Sequence, residues 1–199
     1  MSLGKKNIAQ DPIVQFKTWF NDAIDAQLPY HDAMSLATVS DDGKPSGRIV
    51  LLRGVDERGF VFYTNYNSRK SKELEAMPYA ALTFFWLGLE RQVRIEGEVS
   101  RVSTEESDAY FQSRPRGSQI GAVASPQSDL LDNREVLEES VRQVTAVFDG
   151  KEIPRPSHWG GYRVKPKRIE FWDNRSNRLH DRIVYIANDN GWTVERLAP

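Results

Sequence analysis

Four runs in this chain gather cations beside hydroxyl, aromatic or small residues, and each has donors suited to an anion. The run RIVLLR sets Arg48 and Arg53 at the ends of an apolar stretch. Strand alternation puts them on opposite faces, both with apolar neighbours, which predicts a strand buried on both sides whose charges need partners. Ordinary ion pairs at the strand ends satisfy the same pattern. In YTNYNSRKSKELEAM, Ser68 is placed to cap a helix, with Arg69 and Lys70 in its first turn. Cations there oppose the helix dipole. A phosphate held by both cations and the first backbone N–H groups would explain them; a solvated, lysine-rich helix start is the plainer account. SRPRGSQIGA places Arg114, Arg116 and Ser118 around Pro115 and Gly117, just after Tyr110. Donors at such a rigid turn suit a second phosphate, although loops with Arg and Ser are common. In RLHDR, read as strand, Arg178, His180 and Arg182 share one face and repel unless something anionic or electron-rich lies among them. Glu170 and Trp172 share a strand face upstream and could deliver an indole to the same region. A solvated basic edge strand is the alternative. His31 reads as a loop residue and His158 as packing beside Trp159.

Composition removes other classes of chemistry. The 199 residues suit a single domain over 1–199, with 1–10 expected to be flexible. Lys plus Arg total 27 against 28 for Asp plus Glu, so no global field attracts nucleic acid or an anionic membrane. Cysteine is absent, which excludes disulfides and thiolate chemistry. The three histidines lack zinc-ligand spacing, and no metal is expected. No apolar run approaches a membrane span, so a cytoplasmic location is expected.

The elements that must position these residues follow from local patterns. Asp11-Pro12 reads as an N-cap with Pro at the first helical position, followed by Ile13, Phe16, Phe20 and Ile24 at helical spacing. MSLATVS, RIVLLRGV and FVFYT, separated by DDGKPSG and DERG, predict a three-strand meander. After the RKSKELEAM helix come the strands YAALTFFW and RQVRIEGEVSRV. A helix runs from Thr104 to the Arg114-Pro115 break. Another covers Asn133 to Phe148, with Val136, Leu137, Val141, Val144 and Phe148 as its buried stripe. The tail returns to strand in GGYRVKPKRIEFWD, RLHDRIVYIA and WTVERL. With no βαβ alternation, the pattern predicts a mainly β fold with flanking helices, an antiparallel barrel of six or seven strands.

Taken in order, RIVLLR, FVFYTNYNSRK, ERQVRIEGEVSR, YFQSRPRGSQIGA, SHWGGYRV, IEFWDNRSNRLHDR and WTVERLAP resemble the pyridoxamine 5′-phosphate oxidase family from about Asp11 to Pro199. The resemblance implies a six-stranded Greek-key FMN-binding split barrel that works as a homodimer, with FMN at the subunit interface. It implies FMN contacts from Arg48, Ile49, Val50, Leu51, Leu52, Arg53, Tyr63, Thr64, Arg69, Lys70, Gln92, Gln127, Ser128, Trp172 and Arg182. It implies a substrate-phosphate grip by Arg53, Tyr110, Arg114 and Ser118, with Arg178 and His180 as the catalytic pair against the substrate ring. The implied reaction is oxidation of pyridoxamine or pyridoxine 5′-phosphate to pyridoxal 5′-phosphate, with O2 as acceptor and H2O2 as product. A paralogous phenazine-pathway oxidase and a non-catalytic FMN- or haem-binding module share the scaffold. Three departures stand out. Met1 to Gln10 hold no Arg and Tyr pair like that of the longer N-terminal arm in well-known bacterial members. Arg53 stands where several members have Lys, and Asp173 where Gln, His or Gly is usual.

Overall fold

The computed structural model describes residues 3, 4 and 8–199. Helix α1 (Pro12–Asp25) starts as its sequence dictates: Asp11 accepts the Ile13 N–H at 2.7 Å and Pro12 opens the first turn. Its buried stripe runs Ile13, Phe16, Trp19 and Ala23. Ile24, expected on that stripe, is 42% exposed. The stripe keeps its period by stepping through Trp19 and Ala23, leaving Phe20 at its edge.

Among the described residues nine strands form one antiparallel sheet: β1 (Ala33–Val39), β2 (Pro45–Leu51), β3 (Gly54–Asp56), β4 (Gly59–Asn65), β5 (Tyr79–Trp86), β6 (Arg91–Arg101), β7 (Trp159–Asp173), β8 (Asp181–Asn188) and β9 (Gly191–Leu197). Their order is β2-β1-β5-β6-β7-β4-β3, and the β8–β9 hairpin continues from the later half of β7. The fold is thus mainly β with flanking helices, but with nine strands where six were implied. The difference lies in the three-residue β3 and the strands added along β7. The expected meander holds for β1 against β2 and, at its far end, for β3 against β4, Val55 opposite Phe60. Along its other edge β4 pairs with β7, Phe60 opposite Val164 through Asn65 opposite Trp159. Pairing across about a hundred residues leaves no local signature.

The sheet curls into a half-barrel. Its sharpest irregularity is the bulge between Glu96 and Gly97, where a Cβ on Gly97 would lie 2.1 Å from the Lys165 carbonyl oxygen. The Arg53 N–H donates to the Val61 carbonyl at 2.8 Å, tying the chain after β2 to β4. Helix α1 fills the curl: Phe16 meets Phe60 edge-on at 4.8 Å, and Trp19 meets Phe171 edge-on at 5.2 Å. A smaller core of Phe111, Ile120, Ile153 and Trp159 lies under α3 (Thr104–Ser113), α4 (Arg116–Ala124) and α5 (Arg134–Val147).

Three further expectations change. β2 is an edge strand, not one buried on both sides: Ile49 is 66% exposed. The stripe on α5 is not buried either; Val141, Val144 and Phe148 only flank the smaller core, and Val136 is exposed. Apolar periodicity marks a face to be covered, not the chain that covers it. The segment 1–10, expected to be flexible, lies partly outside the described residues. Of the described ones, Leu3 is buried, the Tyr185 hydroxyl donates to the Ala9 carbonyl, and Arg196 donates to the Leu3 carbonyl. Among the described residues no helix is long and apolar enough to cross a membrane.

Candidate active site

A cavity of about 740 Å³ opens between β2, β4, the N-terminus of α2 (Arg69–Ala76), the α3–α4 corner and the start of β7. Its apolar wall is Ile49, Val50 and Leu51, projecting from the edge strand. Its polar groups form two centres.

The first centre is Lys70. Ser68 occupies the N-cap position of α2, but its hydroxyl faces Ser71 and accepts from Lys70 instead of capping. The Lys70 Nζ is buried and donates to Thr64 Oγ1 at 3.0 Å, Ser68 Oγ at 3.2 Å and Gln127 Oε1 at 3.3 Å. No carboxylate among the described residues lies within ion-pair distance of it. Burial, followed by repulsion from Arg48, lowers its pKa to about 8. Gln127 Oε1 also accepts from Thr64 Oγ1 and the Asn65 N–H. One oxygen facing three donors sits where an anion's oxygen would be satisfied.

The second centre is Arg114, where α3 gives way to α4. Its Nη1 is buried without a hydrogen-bond partner. The guanidinium instead lies over the Trp159 ring, 4.5 Å from its centroid. Burial, and after it the nearby Arg53, lowers its pKa. The Arg53 side chain is 30% exposed and donates to Asp32 Oδ2 at 2.6 Å. Tyr110 stacks on Tyr63 at 3.9 Å, and Ser118 lines the same end of the cavity. Gly160 and Gly161 on β7 make room for this aromatic wall: a Cβ on Gly161 would lie 2.8 Å from Tyr63 Cε1, and one on Gly160 only 2.1 Å from the Tyr66 hydroxyl. SRPRGSQIGA is therefore no rigid turn. The chain breaks only at Pro115, and α4 starts at Arg116 and carries Ser118 in its first turn. Arg116 turns away to the Phe148 and Lys151 carbonyls.

The cavity thus brings together eleven of the expected residues: Ile49, Val50, Leu51 and Arg53 from β2 and its end, Tyr63, Thr64 and Lys70, and Tyr110, Arg114, Ser118 and Gln127. Others stand apart. Leu52 is buried in the core. Ser128 follows Gln127 in a left-handed turn, φ 76°. Arg48 points into a network with Thr38, Ser46 and Glu73, and Arg69 is an exposed partner of Glu73.

Gln92, Trp172 and Arg182 form a row across β6, β7 and β8, with the His180 ring 4.5 Å from Trp172. This second group and Trp159 of the cavity sit thirteen residues apart on β7, roughly 40 Å of strand at 3.3 Å per residue. The one-face reading of RLHDR fails, because β8 begins only at Asp181. Arg178 sits in the 3-10 turn Ser176–Arg178, with Asn177 and Arg178 both left-handed at φ 58° and 63°. Cation repulsion there is met by acids: Arg182 pairs with Glu170 at 2.9 Å and Arg175 with Asp173 and Asp181 at 2.6 and 2.8 Å. Sequence reading missed Asn65, Gly121, Ala122, Ser125 and Trp159 in the cavity wall. Only Trp159, in SHWGGYRV, carries a signal, as the aromatic expected beside His158.

A curled antiparallel half-barrel with a cavity that carries a buried ammonium and a partly buried guanidinium, neither with an ion-pair partner among the described residues, defines a class: a small β protein built to hold a phosphorylated ligand. The cation set fits such a ligand, since neither cation has a carboxylate within ion-pair distance among the described residues. A model of the family described as pyridoxamine 5′-phosphate oxidase matches residues 20–148, and a model of the pyridoxine 5′-phosphate oxidase C-terminal dimerisation region matches 159–199. The chain is 57% identical to the pyridoxine/pyridoxamine 5′-phosphate oxidase of Burkholderia multivorans, over 100% of this chain and 94% of that one. It is also 57% identical to the enzyme of that name from Salinibacter ruber, over 99% and 93%. Among solved structures, PhzG from Burkholderia lata, in complex with tetrahydrophenazine-1-carboxylic acid, superposes with a TM-score of 0.93 at 32% identity, covering 99% and 98% of the two chains. A pyridoxamine 5′-phosphate oxidase-related, FMN-binding protein from Nostoc punctiforme shares the fold, with a TM-score of 0.74 at 19% identity over the whole of both chains. The chain belongs to the pyridoxamine 5′-phosphate oxidase family.

Proposed function

We propose that this protein is an FMN-dependent oxidase that converts pyridoxamine and pyridoxine 5′-phosphates to pyridoxal 5′-phosphate, with O2 as acceptor and H2O2 as product. The observation that carries this reading is the pair of separate cationic centres in one cavity. Two phosphates, one of a cofactor and one of a substrate, account for both. Lys70, with Thr64, Gln127 and the first turn of α2 bearing Arg69, holds the FMN phosphate, and Ile49, Val50 and Leu51 wall the cavity beside it. Arg53, Tyr110, Arg114 and Ser118 grip the substrate phosphate. When bound, FMN supplies the two-electron redox chemistry, which side chains alone do not. The protein's work is then positioning: phosphate binding, remote from the reacting carbon, orients the substrate.

Gln92, Trp172, Arg178, His180 and Arg182 lie outside this cavity in their own chain. In the proposed homodimer they complete the cavity of the second copy, where the partner subunit's Arg178 and His180 contact the substrate ring. The matched dimerisation region and the exposed apolar residues of β2 support this arrangement.

The likeness to PhzG favours a second reading, a paralogous oxidase of an unphosphorylated substrate. The Arg114 centre separates the two. With a phosphate grip, unphosphorylated pyridoxamine loses at least about 1000-fold in kcat/KM, roughly 4 kcal/mol. Arg114→Ala then penalises the phosphorylated substrate heavily and barely affects the other. Peroxide release with both substrates and both proteins tests this, and equal losses on the two would favour the paralogue.

A further inference from the structure

Arg114 is an awkward cation. Its Nη1 is buried, Arg53 is close enough to depress its pKa, and no side-chain hydrogen-bond or ion-pair partner for it exists among the described residues. What faces it is aromatic: Trp159 at 4.5 Å from the guanidinium carbon, and Phe111 farther off at 5.8 Å. Trp159 is itself fixed from three sides. Tyr63 stacks on it at 5.5 Å and 13°, Phe111 meets it edge-on at 5.2 Å, and Tyr110 lies parallel at 6.2 Å. It is 6% exposed and belongs to the small core of Phe111, Ile120 and Ile153.

The chemistry of the wall matters. A carboxylate beside Arg114 would also offset its charge, but it would occupy the donor fork and cancel the positive field. An indole face attracts the guanidinium through its quadrupole and takes none of its in-plane N–H donors. The contrast is visible in the same cavity, where Arg53 already spends donors on Asp32.

We infer that Trp159 is a positioning and specificity residue: its indole face holds Arg114 against the cavity wall, charged and with its donors unspent, so that the guanidinium can take the substrate's phosphate. This rests on the proposed function and deepens it, because selectivity for a phosphorylated substrate then depends on a residue that never touches the phosphate.

The test is the selectivity ratio, kcat/KM for pyridoxamine 5′-phosphate over that for pyridoxamine, in flavin-loaded wild type, Arg114→Ala, Trp159→Phe and Trp159→Leu. A partly unfolded fraction cancels in this ratio, since both substrates are turned over by the same folded molecules. Trp159→Leu is expected to lower the ratio about tenfold, at the upper part of the range for a desolvated cation–π contact, and Trp159→Phe only about threefold. The loss should lie in KM for the phosphorylated substrate, with kcat nearly kept, and inorganic phosphate should weaken as a competitor in parallel. In the Arg114→Ala background, Trp159→Leu should have no further effect on the ratio. A wild type without phosphate selectivity would sink the functional reading itself. A selective wild type whose Arg114→Ala variant loses selectivity while Trp159→Leu retains it would overturn this inference alone.

Discussion

Lys70 illustrates how much a single buried charge constrains a site. Its ammonium bonds hydroxyl and amide oxygens, with no carboxylate among the described residues at ion-pair distance, and burial, with Arg48 adding to it and Glu73 opposing, lowers its pKa to about 8. A phosphate brought against it favours the charged form, so binding and protonation are linked. The sign follows directly. Below pH 8 the unliganded site is already protonated and FMN affinity is flat; above it each binding event must first take up a proton. The ligand's own phosphate, with a second pKa near 6, is fully charged throughout. FMN affinity of the apoprotein is therefore expected to fall by up to about tenfold per pH unit above 8, and Lys70→Arg should flatten the curve. Flavin fluorescence titrations between pH 7 and 9.5 check this; a flat wild-type profile would take Lys70 out of the phosphate site. At the same scale, replacing Arg69 and Lys70 together by Ala should weaken FMN binding about 100-fold or more, at roughly 1.5–3 kcal/mol per charge-assisted contact. An unchanged dissociation constant would contradict that.

Among the elements, α2 and β2 are clamped by Glu73. Its buried carboxylate accepts from Ser46 at 2.6 Å and from Thr38, and pairs with Arg48 at 3.1 Å and Arg69 at 2.8 Å. Burial opposes the charge, but these donors together outweigh it and hold the pKa at about 2, below the ordinary 4.5. The resulting stability is fully present above pH 4.5 and is lost as pH falls toward 2. It amounts to about 3 kcal/mol at 1.36 kcal/mol per unit. Glu73→Gln should cost about 3 kcal/mol at pH 7, with a loss that shrinks toward pH 3. Urea denaturation at both pH values tests it; a pH-independent loss would point to packing instead.

These elements also show where local patterns stop. Asp11-Pro12 and the apolar period were enough for α1, and alternation was enough for most strands, because caps and side-chain periods act over a few residues. The β4–β7 ladder was invisible, since it joins Asn65 to Trp159 across the chain. The Lys70 and Arg114 centres could be read as candidates from their cations, but their lack of counter-charges could not: that depends on what tertiary packing leaves out. Arg178 lies outside its expected strand because two consecutive left-handed non-glycine residues delay the start of β8 to Asp181, which no propensity suggests. Trp159 shows in the sequence only as an aromatic beside His158, just ahead of the expected strand GGYRVKPKRIEFWD; its double place, core on one side and cavity wall on the other, depends on tertiary packing.

For the whole molecule, the cavity at the start of β7 and the Trp172–His180 group at its end are separate in one chain. If two copies bring them together around FMN, the ligand bridges the subunits and strengthens their association. Sedimentation should show a dimer that resists dilution better with flavin than without; a flavin-loaded monomer would contradict this arrangement. The most direct measurement of the central claim is anaerobic. Pyridoxamine 5′-phosphate is added to the flavin-loaded protein without oxygen, the yellow absorbance is followed, and air is then admitted. The account predicts rapid bleaching with the phosphorylated amine, none on the same timescale with unphosphorylated pyridoxamine, and recovery of colour with pyridoxal 5′-phosphate and peroxide formed. A protein that binds FMN yet stays yellow with pyridoxamine 5′-phosphate would contradict it.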